Sequence, residues 1–174
     1  KFGEGIRSRT FIGDTVKVKS GAIFFTPNEE TAMFFAKNRA EWFADIGKTA
    51  RPTTYERYLN IKNPADFTTI ESAQKVFDKA KIDLPKTFNL SVFDEEISLE
   101  TYIKELGQLD LDGIWKAFDK PEFVSSLKKA GFDGAIIKET GERGISYAIF
   151  NPEQAFTKSQ LTDFYNQAVG GIKS

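Results

Sequence analysis

With 174 residues, 40% of them hydrophobic, the chain is long enough for one domain with a sizeable core and too apolar for a disordered segment. Its formal net charge of -1 argues against a basic nucleic-acid-binding chain and against an anionic membrane surface as partner. The lack of cysteine and histidine excludes disulfides, thiol or imidazole catalysis, and metal sites built on either residue.

The remaining composition narrows the kind of site to expect. Any chemistry has to depend on carboxylates, hydroxyls, lysine, arginine, backbone amides or a bound cofactor. No apolar run approaches the roughly 18 residues of a membrane span, so no membrane partner is expected. The sequence starts at Lys1 without a signal-peptide pattern, and we expect a trimmed or processed piece of a longer parent.

The N-terminal part consists of a polar segment and a short strand. Residues 1–20 are polar and rich in glycine, with Arg7 and Arg9 close together, and we assign no element to them. The run from Ala22 to Thr26 contains two phenylalanines and predicts a buried strand.

The best-marked element is the helix that follows this strand. Thr26 is the predicted N-cap, with Pro27 at the first helical position and Glu29 completing a Thr-x-x-Glu capping box. Gly47 predicts the end of the helix. Between them, apolar residues recur at helical spacing: Ala32, Phe35, Ala36, Phe43 and Ile46.

The middle of the chain predicts one strand and then a region that is mostly helical. Tyr55–Ile61 alternates in the manner of a strand, which Asn63-Pro64 ends. Residues 68–130 predict helices against the sheet. Their expected limits are a capping box of Thr68 with Glu71, a helix from Ser98 to Gly107, and a helix from Pro121 to Gly131.

The C-terminal part predicts a hairpin, a turn and a last helix. Strands at 135–138 and 145–150 are expected to be antiparallel neighbours, because the loop Glu139–Gly144 is short and contains two glycines. Asn151-Pro152 turns the chain, and the last helix covers Ser159 to Val169. Strands and helices do not alternate regularly, so we predict an α+β fold with helices against a small mixed or antiparallel sheet.

Five short motifs follow one another along these elements. Each motif alone is explained by a core strand, a strand end or a tight turn. In order and spacing together they resemble ADP-ribosyltransferases of the phage and mobile-element polyvalent-protein type, which are distant relatives of the poly-ADP-ribose polymerases. The segments that carry the resemblance are Gly21–Thr26, Ala32–Ala36, Leu59–Pro64, Gly131–Ile136 and Tyr147–Gln154.

The resemblance implies one domain over residues 1–174, with a split sheet, a helical insertion at about 68–130, and a cleft that binds NAD as co-substrate. The nicotinamide ring would stack between two aromatic side chains, which by position are Phe24 and Phe35, with Phe34 as the alternative to Phe35. We expect Phe24 and Phe35 to face one concave site, since the corner after the strand brings both rings to the same end.

The same resemblance assigns the polar contacts to NAD. Thr26, at the end of the first motif, belongs to the NAD-binding set. Arg9 would hold a ribose or phosphate group, with Arg7 as its alternative. A third possibility is that the strand with this role precedes Lys1 in a longer parent.

The catalytic acid is where this chain departs from the family. In the family a glutamate precedes the tyrosine of the last motif and stabilises the cationic ribose as nicotinamide leaves; here Ser146 stands in its place, without a charge. The nearest acids, Glu139 and Glu142, lie in a loop whose ordinary interpretation is a solvated turn. Because four extended residues span about 13 Å, Glu142 would serve only if Gly141 and Gly144 let the loop fold back.

Three functions are left open by these residues, because a fold does not fix a function. The first is an ADP-ribosyltransferase that acts on a macromolecular acceptor, which we expect to be a protein, with Glu142 as the displaced acid. A phage or host protein is the partner to expect. The second is a degenerate transferase fold that serves as a structural or binding module, for example a virion or polyprotein component. The third is a nucleotide-binding regulator without chemistry. The expected location is the host cytoplasm or the virion.

Overall fold

The computed structural model describes residues 6–13, 21–49, 51–80, 89–92, 95–98, 114–139 and 141–170. These ranges contain helices and small sheets, which confirms the α+β class. The α-helices are α1 (Glu29–Asp45), α2 (Ile70–Ala80), α3 (Pro121–Lys129) and α4 (Lys158–Gly170). The strands are β1 (Ile6–Gly13), β2 (Ile23–Phe25), β3 (Thr54–Asn60), β4 (Pro64–Phe67), β5 (Asn89–Val92), β6 (Glu95–Ser98), β7 (Gly134–Lys138), β8 (Ile145–Ile149) and β9 (Ala155–Phe156).

The strands form separate sheets, and the largest of them has mixed pairing. The order in the four-stranded sheet is β2-β8-β7-β4, with β4 parallel to β7 and the other pairs antiparallel. A three-stranded antiparallel sheet has the order β1-β3-β9, and β5 pairs with β6. Lys138 lies opposite Ile145 and Gly134 opposite Ile149, so the predicted hairpin of these two strands is confirmed.

The two faces of the four-stranded sheet bury different cores. Ala135, Ile137 and Ala148 alternate onto one face, where they join α2, α3 and the 3₁₀ helix Ile114–Asp119 in the larger apolar cluster. We call this side the helical face. On the opposite side Phe25 and Ile149 pack with Leu59 and Ile61 of the β3 region in a second cluster. Helix α1 packs against β1 and β3.

Phe118 is the centre of the aromatic packing on the helical face. This fully buried ring is edge-on to Phe24, Phe67 and Phe123, with centroid separations of 5.5, 5.8 and 5.0 Å. The ring of Phe150 is 6.5 Å away in a tilted arrangement. Many of the phenylalanines therefore hold the sheet to its helical cover, in the edge-to-face geometry that aromatic pairs favour.

Asp133, the residue that precedes β7, links two of the sequence motifs by hydrogen bonds. Its carboxylate accepts hydrogen bonds from the backbone N–H groups of Lys62 and Asn63, both at 2.8 Å. The Asn63 side chain in turn donates to the carbonyl of Gly131 at 2.7 Å. The next residue has no room for a side chain, since a Cβ on Gly134 would lie 2.7 Å from the carbonyl oxygen of Ala148.

Gln154 links the last motif by hydrogen bonds to the same two motifs, just before β7. Its amide nitrogen donates to the carbonyls of Asn60 and Asp133 at 2.9 and 2.8 Å. Its amide oxygen accepts from the backbone of Phe150 and Asn151. Three of the five motifs thus have a structural role, because their polar side chains satisfy backbone groups where strands begin and end.

The predicted helical middle is wrong in part. β5 and β6 form a hairpin within residues 68–130, and Ser98, expected to begin a helix, is the last residue of β6. The rest of that predicted helix, 99–107, lies outside the described residues. β1 and β4 are strands that the sequence patterns did not indicate. Pro64 begins β4, a position that proline tolerates because it has no N–H to donate.

The predicted N-cap of α1 is wrong by two residues. Asn28 is the cap, and its side-chain oxygen accepts from the backbone N–H groups of Glu30 and Thr31 at 2.8 and 3.2 Å. The Thr26 hydroxyl instead donates to the carbonyl of Ile145 at 3.3 Å and accepts from the N–H of Asn28 at 3.2 Å. Thr26 is therefore the residue that joins the end of β2 to β8. The helix ends at the predicted place, with Gly47 at a φ of 73°.

The predicted capping box at the start of α2 is also displaced, by one residue. Thr69 and Ser72 exchange the cap bonds, at 3.1 and 3.3 Å, and Thr68 bonds back to β4. Glu71 forms an exposed ion pair with Lys75 at 2.6 Å, and this hydrogen bond lowers the pKa of Glu71. The helix from Pro121 and the final helix lie where they were predicted, within two residues at each end.

Candidate functional site

Three of the candidate site residues, Glu142, Ser146 and Thr26, lie in or beside the connection between β7 and β8. The N–H of Glu139 donates to the carbonyl of Gly144 at 2.8 Å, which extends the hairpin by one pair. Gly144 has a φ of 81°, a conformation that favours glycine. Gly141–Arg143 form a 3₁₀ turn at the top of the connection.

Arg143 joins this connection to α1. Its guanidinium carbon lies 4.6 Å from the ring centroid of Phe34 and 6.0 Å from that of Phe35. The two rings are 5.6 Å apart and are 40% and 39% exposed. We call these three residues the aromatic–arginine cluster. A guanidinium over an aromatic face is attractive, and here it holds the β7–β8 connection against the helix.

Glu142 is next to this cluster in the chain. It precedes Arg143 in the 3₁₀ turn, and its side chain is exposed. Gly144, at the base of the turn, has a left-handed φ of 81°. The fold-back that would bring Glu142 to the place of the family glutamate stays a prediction.

A second group of polar side chains lies on the helical face at the same end of the sheet. Thr26, Glu139 and Ser146 are 3%, 8% and 2% exposed. Ser146 lies opposite Ile137, and continuing the β2–β8 register places Thr26 opposite Ser146 on its other side. Glu139 is two residues beyond Ile137 and so belongs to the same face. We call these three residues the hydroxyl–carboxyl cluster.

The two aromatic rings assigned to nicotinamide have different neighbours. Phe24 is half-buried on the helical face, where its ring contacts Phe118 at 5.5 Å. Phe35 is exposed on α1 and contacts Phe34 and Arg143. Neither ring is fully enclosed, so both keep a surface that a ligand could meet. A single concave site for Phe24 and Phe35 stays a prediction.

Arg9 lies on β1, and Ser146 is a core residue. Arg9 falls between the pairs Arg7–Leu59 and Thr10–Arg57, where the register of β1 against β3 shifts. β1, which contains Arg7 and Arg9, is the first strand of the described residues. The role of either arginine in holding NAD stays a prediction. Ser146 is 2% exposed, so almost all of its surface is covered by the fold.

Two features of the site were not recognised in the sequence. The interpretation of the loop as a solvated turn does not predict the burial of Glu139, although the alternation Ala135, Ile137, Glu139 is a signal for it. The stacking of Arg143 on α1 joins residues more than 100 positions apart, and no local pattern indicates it.

Comparisons of the chain with protein-family models, with curated proteins and with solved structures found no match. In the part of the chain that the structure describes, no helix combines the length and the apolar character needed to cross a bilayer. A functional conclusion therefore has to come from the site geometry.

Proposed function

We propose that this chain is an ADP-ribosyltransferase-like domain that binds NAD beside the β7–β8 connection and transfers ADP-ribose to a macromolecular acceptor, with a protein as the first candidate. The observation that carries the proposal is the aromatic–arginine cluster. It brings Phe35, the ring assigned to nicotinamide, next to the turn that contains Glu142, the acid assigned to catalysis.

The chemistry of this cluster fits a dinucleotide. An exposed aromatic ring offers a π-face to a planar nicotinamide, and the stacked guanidinium of Arg143 offers donors and a positive charge to a pyrophosphate. Arg7 and Arg9 on β1 would supply further positive charge. The cluster therefore provides the two kinds of contact that NAD needs.

Glu142 would act when the glycosidic bond breaks. In the transfer, the bond from ribose C1′ to the nicotinamide nitrogen breaks, and its electron pair leaves with nicotinamide. A lone pair of the acceptor forms the new bond to C1′, and the acceptor proton passes to solvent. The Glu142 carboxylate would stabilise the positive charge that develops on the ribose.

A degenerate module is the second candidate, and two observations favour it. Ser146 occupies the place of the family glutamate and is enclosed at 2% exposure. The motif residues Asn63, Asp133 and Gln154 are engaged with backbone groups. Motifs that serve the fold persist in a protein that has lost its chemistry.

Calorimetric titration with NAD tests the proposal and the role of the cluster. The wild-type chain should give a saturable, one-to-one binding heat. Phe35→Ala should weaken binding about 5- to 30-fold, because stacking on an aromatic ring contributes about 1–2 kcal/mol in such sites. Phe164→Ala, which removes an exposed ring from α4, is the matched control and should bind as the wild type does. Absence of binding heat from the wild type at millimolar NAD would refute the proposal. Equal NAD affinity of all three proteins would mean that NAD binds away from α1.

A further inference from the structure

Trp42 is an exposed aromatic residue in the C-terminal half of α1, and the contacts to NAD given above do not use it. Its side chain is 47% exposed. The guanidinium carbon of Arg39 lies over the ring, 4.4 Å from its centroid, and lies 5.0 Å from the ring centroid of Phe43. The exposed part of the tryptophan contributes no burial energy to the fold, so it is free to serve a contact.

The rings of Phe35 and Trp42 belong to one side of α1. Positions seven apart in an α-helix point within about 20° of the same direction and lie about 10.5 Å apart along the axis. Both side chains are exposed, at 39% and 47%. Arg39 is four residues after Phe35 and three before Trp42, the spacing of neighbours on a helix surface. This side of the helix therefore presents two aromatic rings with a cation between them.

Two arginines give the space between these rings a positive charge. Arg143 stacks on Phe34 and Phe35, and Arg39 stacks on Trp42. Among the described residues no carboxylate forms an ion pair with either guanidinium. A stacked guanidinium keeps its N–H groups in the plane of the group, so both arginines can donate to anionic oxygens. The ligand that complements this surface has two planar groups joined by an anion.

We propose that Trp42 stacks on the adenine of NAD, with Arg39 beside the pyrophosphate and Asp45 accepting a hydrogen bond from the adenine amino group. Asp45 is exposed and is three residues after Trp42, so the two are neighbours on the helix surface. An aromatic ring stacks on any base, and the carboxylate selects a base that carries an amino group. The assignment rests on the proposed function, which places nicotinamide on Phe35.

Calorimetric titration of Trp42→Ala with two fragments of NAD tests the adenine contact. The variant should bind NAD and ADP-ribose about 5- to 150-fold more weakly than the wild type, the usual effect of removing a ring on which a base stacks. Its affinity for nicotinamide mononucleotide should not change, because that fragment has no adenine. Trp42→Phe keeps a ring and should bind ADP-ribose within about 5-fold of the wild type. Tyr165→Ala removes a ring that is 59% exposed from α4 and is the matched control.

An NAD analogue with hypoxanthine in place of adenine tests the role of Asp45. The analogue lacks the amino group, so the wild type should bind it about 3- to 10-fold more weakly than NAD. Asp45→Ala should bind the two dinucleotides equally, and such non-additivity is the mark of groups in direct contact. Glu41→Ala, which removes an exposed acid four residues earlier in α1, should keep the preference for NAD. If Asp45→Ala keeps the preference as well, the role given to Asp45 is wrong.

The same titrations separate this inference from the proposed function. Phe35→Ala should show the reverse pattern, with weaker binding of nicotinamide mononucleotide and unchanged binding of ADP-ribose. If the wild type binds NAD and Trp42→Ala binds NAD and ADP-ribose equally well, the inference alone fails. If the wild type binds ADP-ribose through Trp42, binds NAD no more tightly and releases no nicotinamide, the adenine contact stands and the proposed function fails. If the wild type binds neither NAD nor ADP-ribose, both fail.

Discussion

Phe118→Ala is expected to lower the free energy of unfolding by about 3–5 kcal/mol, the usual cost of removing a fully buried phenylalanine ring. The ring is 0% exposed and contacts Phe24, Phe67, Phe123 and Phe150. Its removal leaves a cavity between the four-stranded sheet and its helical cover. Several neighbours are themselves large rings, so the surroundings cannot close the space by small movements.

Urea denaturation followed by circular dichroism measures this loss. Phe164→Ala is again the comparison, since its ring is 40% exposed and contacts Phe156 at 5.6 Å. It should cost less than about 1 kcal/mol. A loss below about 1 kcal/mol for Phe118→Ala would mean that the core is not organised around this ring.

Glu142→Gln is expected to reduce the release of nicotinamide from NAD about 10²- to 10³-fold, the usual effect of removing one group that stabilises a transition-state charge. NAD affinity should stay near that of the wild type, because in this account Glu142 acts on the developing cation and not on the ground state. Single-turnover release, measured beside the binding heat, separates the two effects. Glu153→Gln should release nicotinamide at the wild-type rate.

Ser146→Glu distinguishes an active enzyme from a degenerate one. If the wild type releases nicotinamide and Glu142→Gln does not, the displaced acid is supported. If the wild type is inactive and Ser146→Glu has activity, the chain has lost its acid and kept its binding site. The variant places a carboxylate at a position that is 2% exposed, so its circular dichroism has to match the wild type before its activity is interpreted. Release by Glu142→Gln at the wild-type rate would contradict the role given to Glu142.

The sequence predicted those elements whose signals are local. The hairpin of β7 and β8 follows from alternation on both sides of a short loop with glycine, and the register confirms it. The span of α1 follows from its helical period. The cap of α1 was misplaced because Thr26 and Asn28 are both good caps. Pairing with Ile145, a contact across 119 residues, holds Thr26 in the sheet and leaves the cap to Asn28.

Elements that depend on distant partners were not predictable in the same way. β4 is a short strand whose place depends on parallel pairing with β7, and its first residue, Pro64, is a common strand terminator. The polar β1 is held by antiparallel pairing with β3, not by an apolar pattern of its own. The β5–β6 hairpin lies in a stretch whose residues also suit helices.

The candidate site likewise has features that follow from the sequence and features that depend on distant contacts. The residue types came from the sequence, since without histidine and cysteine an acid, a hydroxyl or an arginine has to be involved. The grouping came from the fold. Arg143 meets Phe34 across more than 100 residues, and Glu139 shares a face with Ser146 only because of the strand register.

Hydrogen exchange of the backbone amides with and without NAD tests most directly where the ligand binds. We expect slower exchange on NAD addition at residues 139–146 and in the first two turns of α1, the segments that carry both clusters. Exchange in α4, which contains no residue of either cluster, should not change. Protection of α1 and the β7–β8 connection would support the account, and protection elsewhere, or none at saturating NAD, would contradict it.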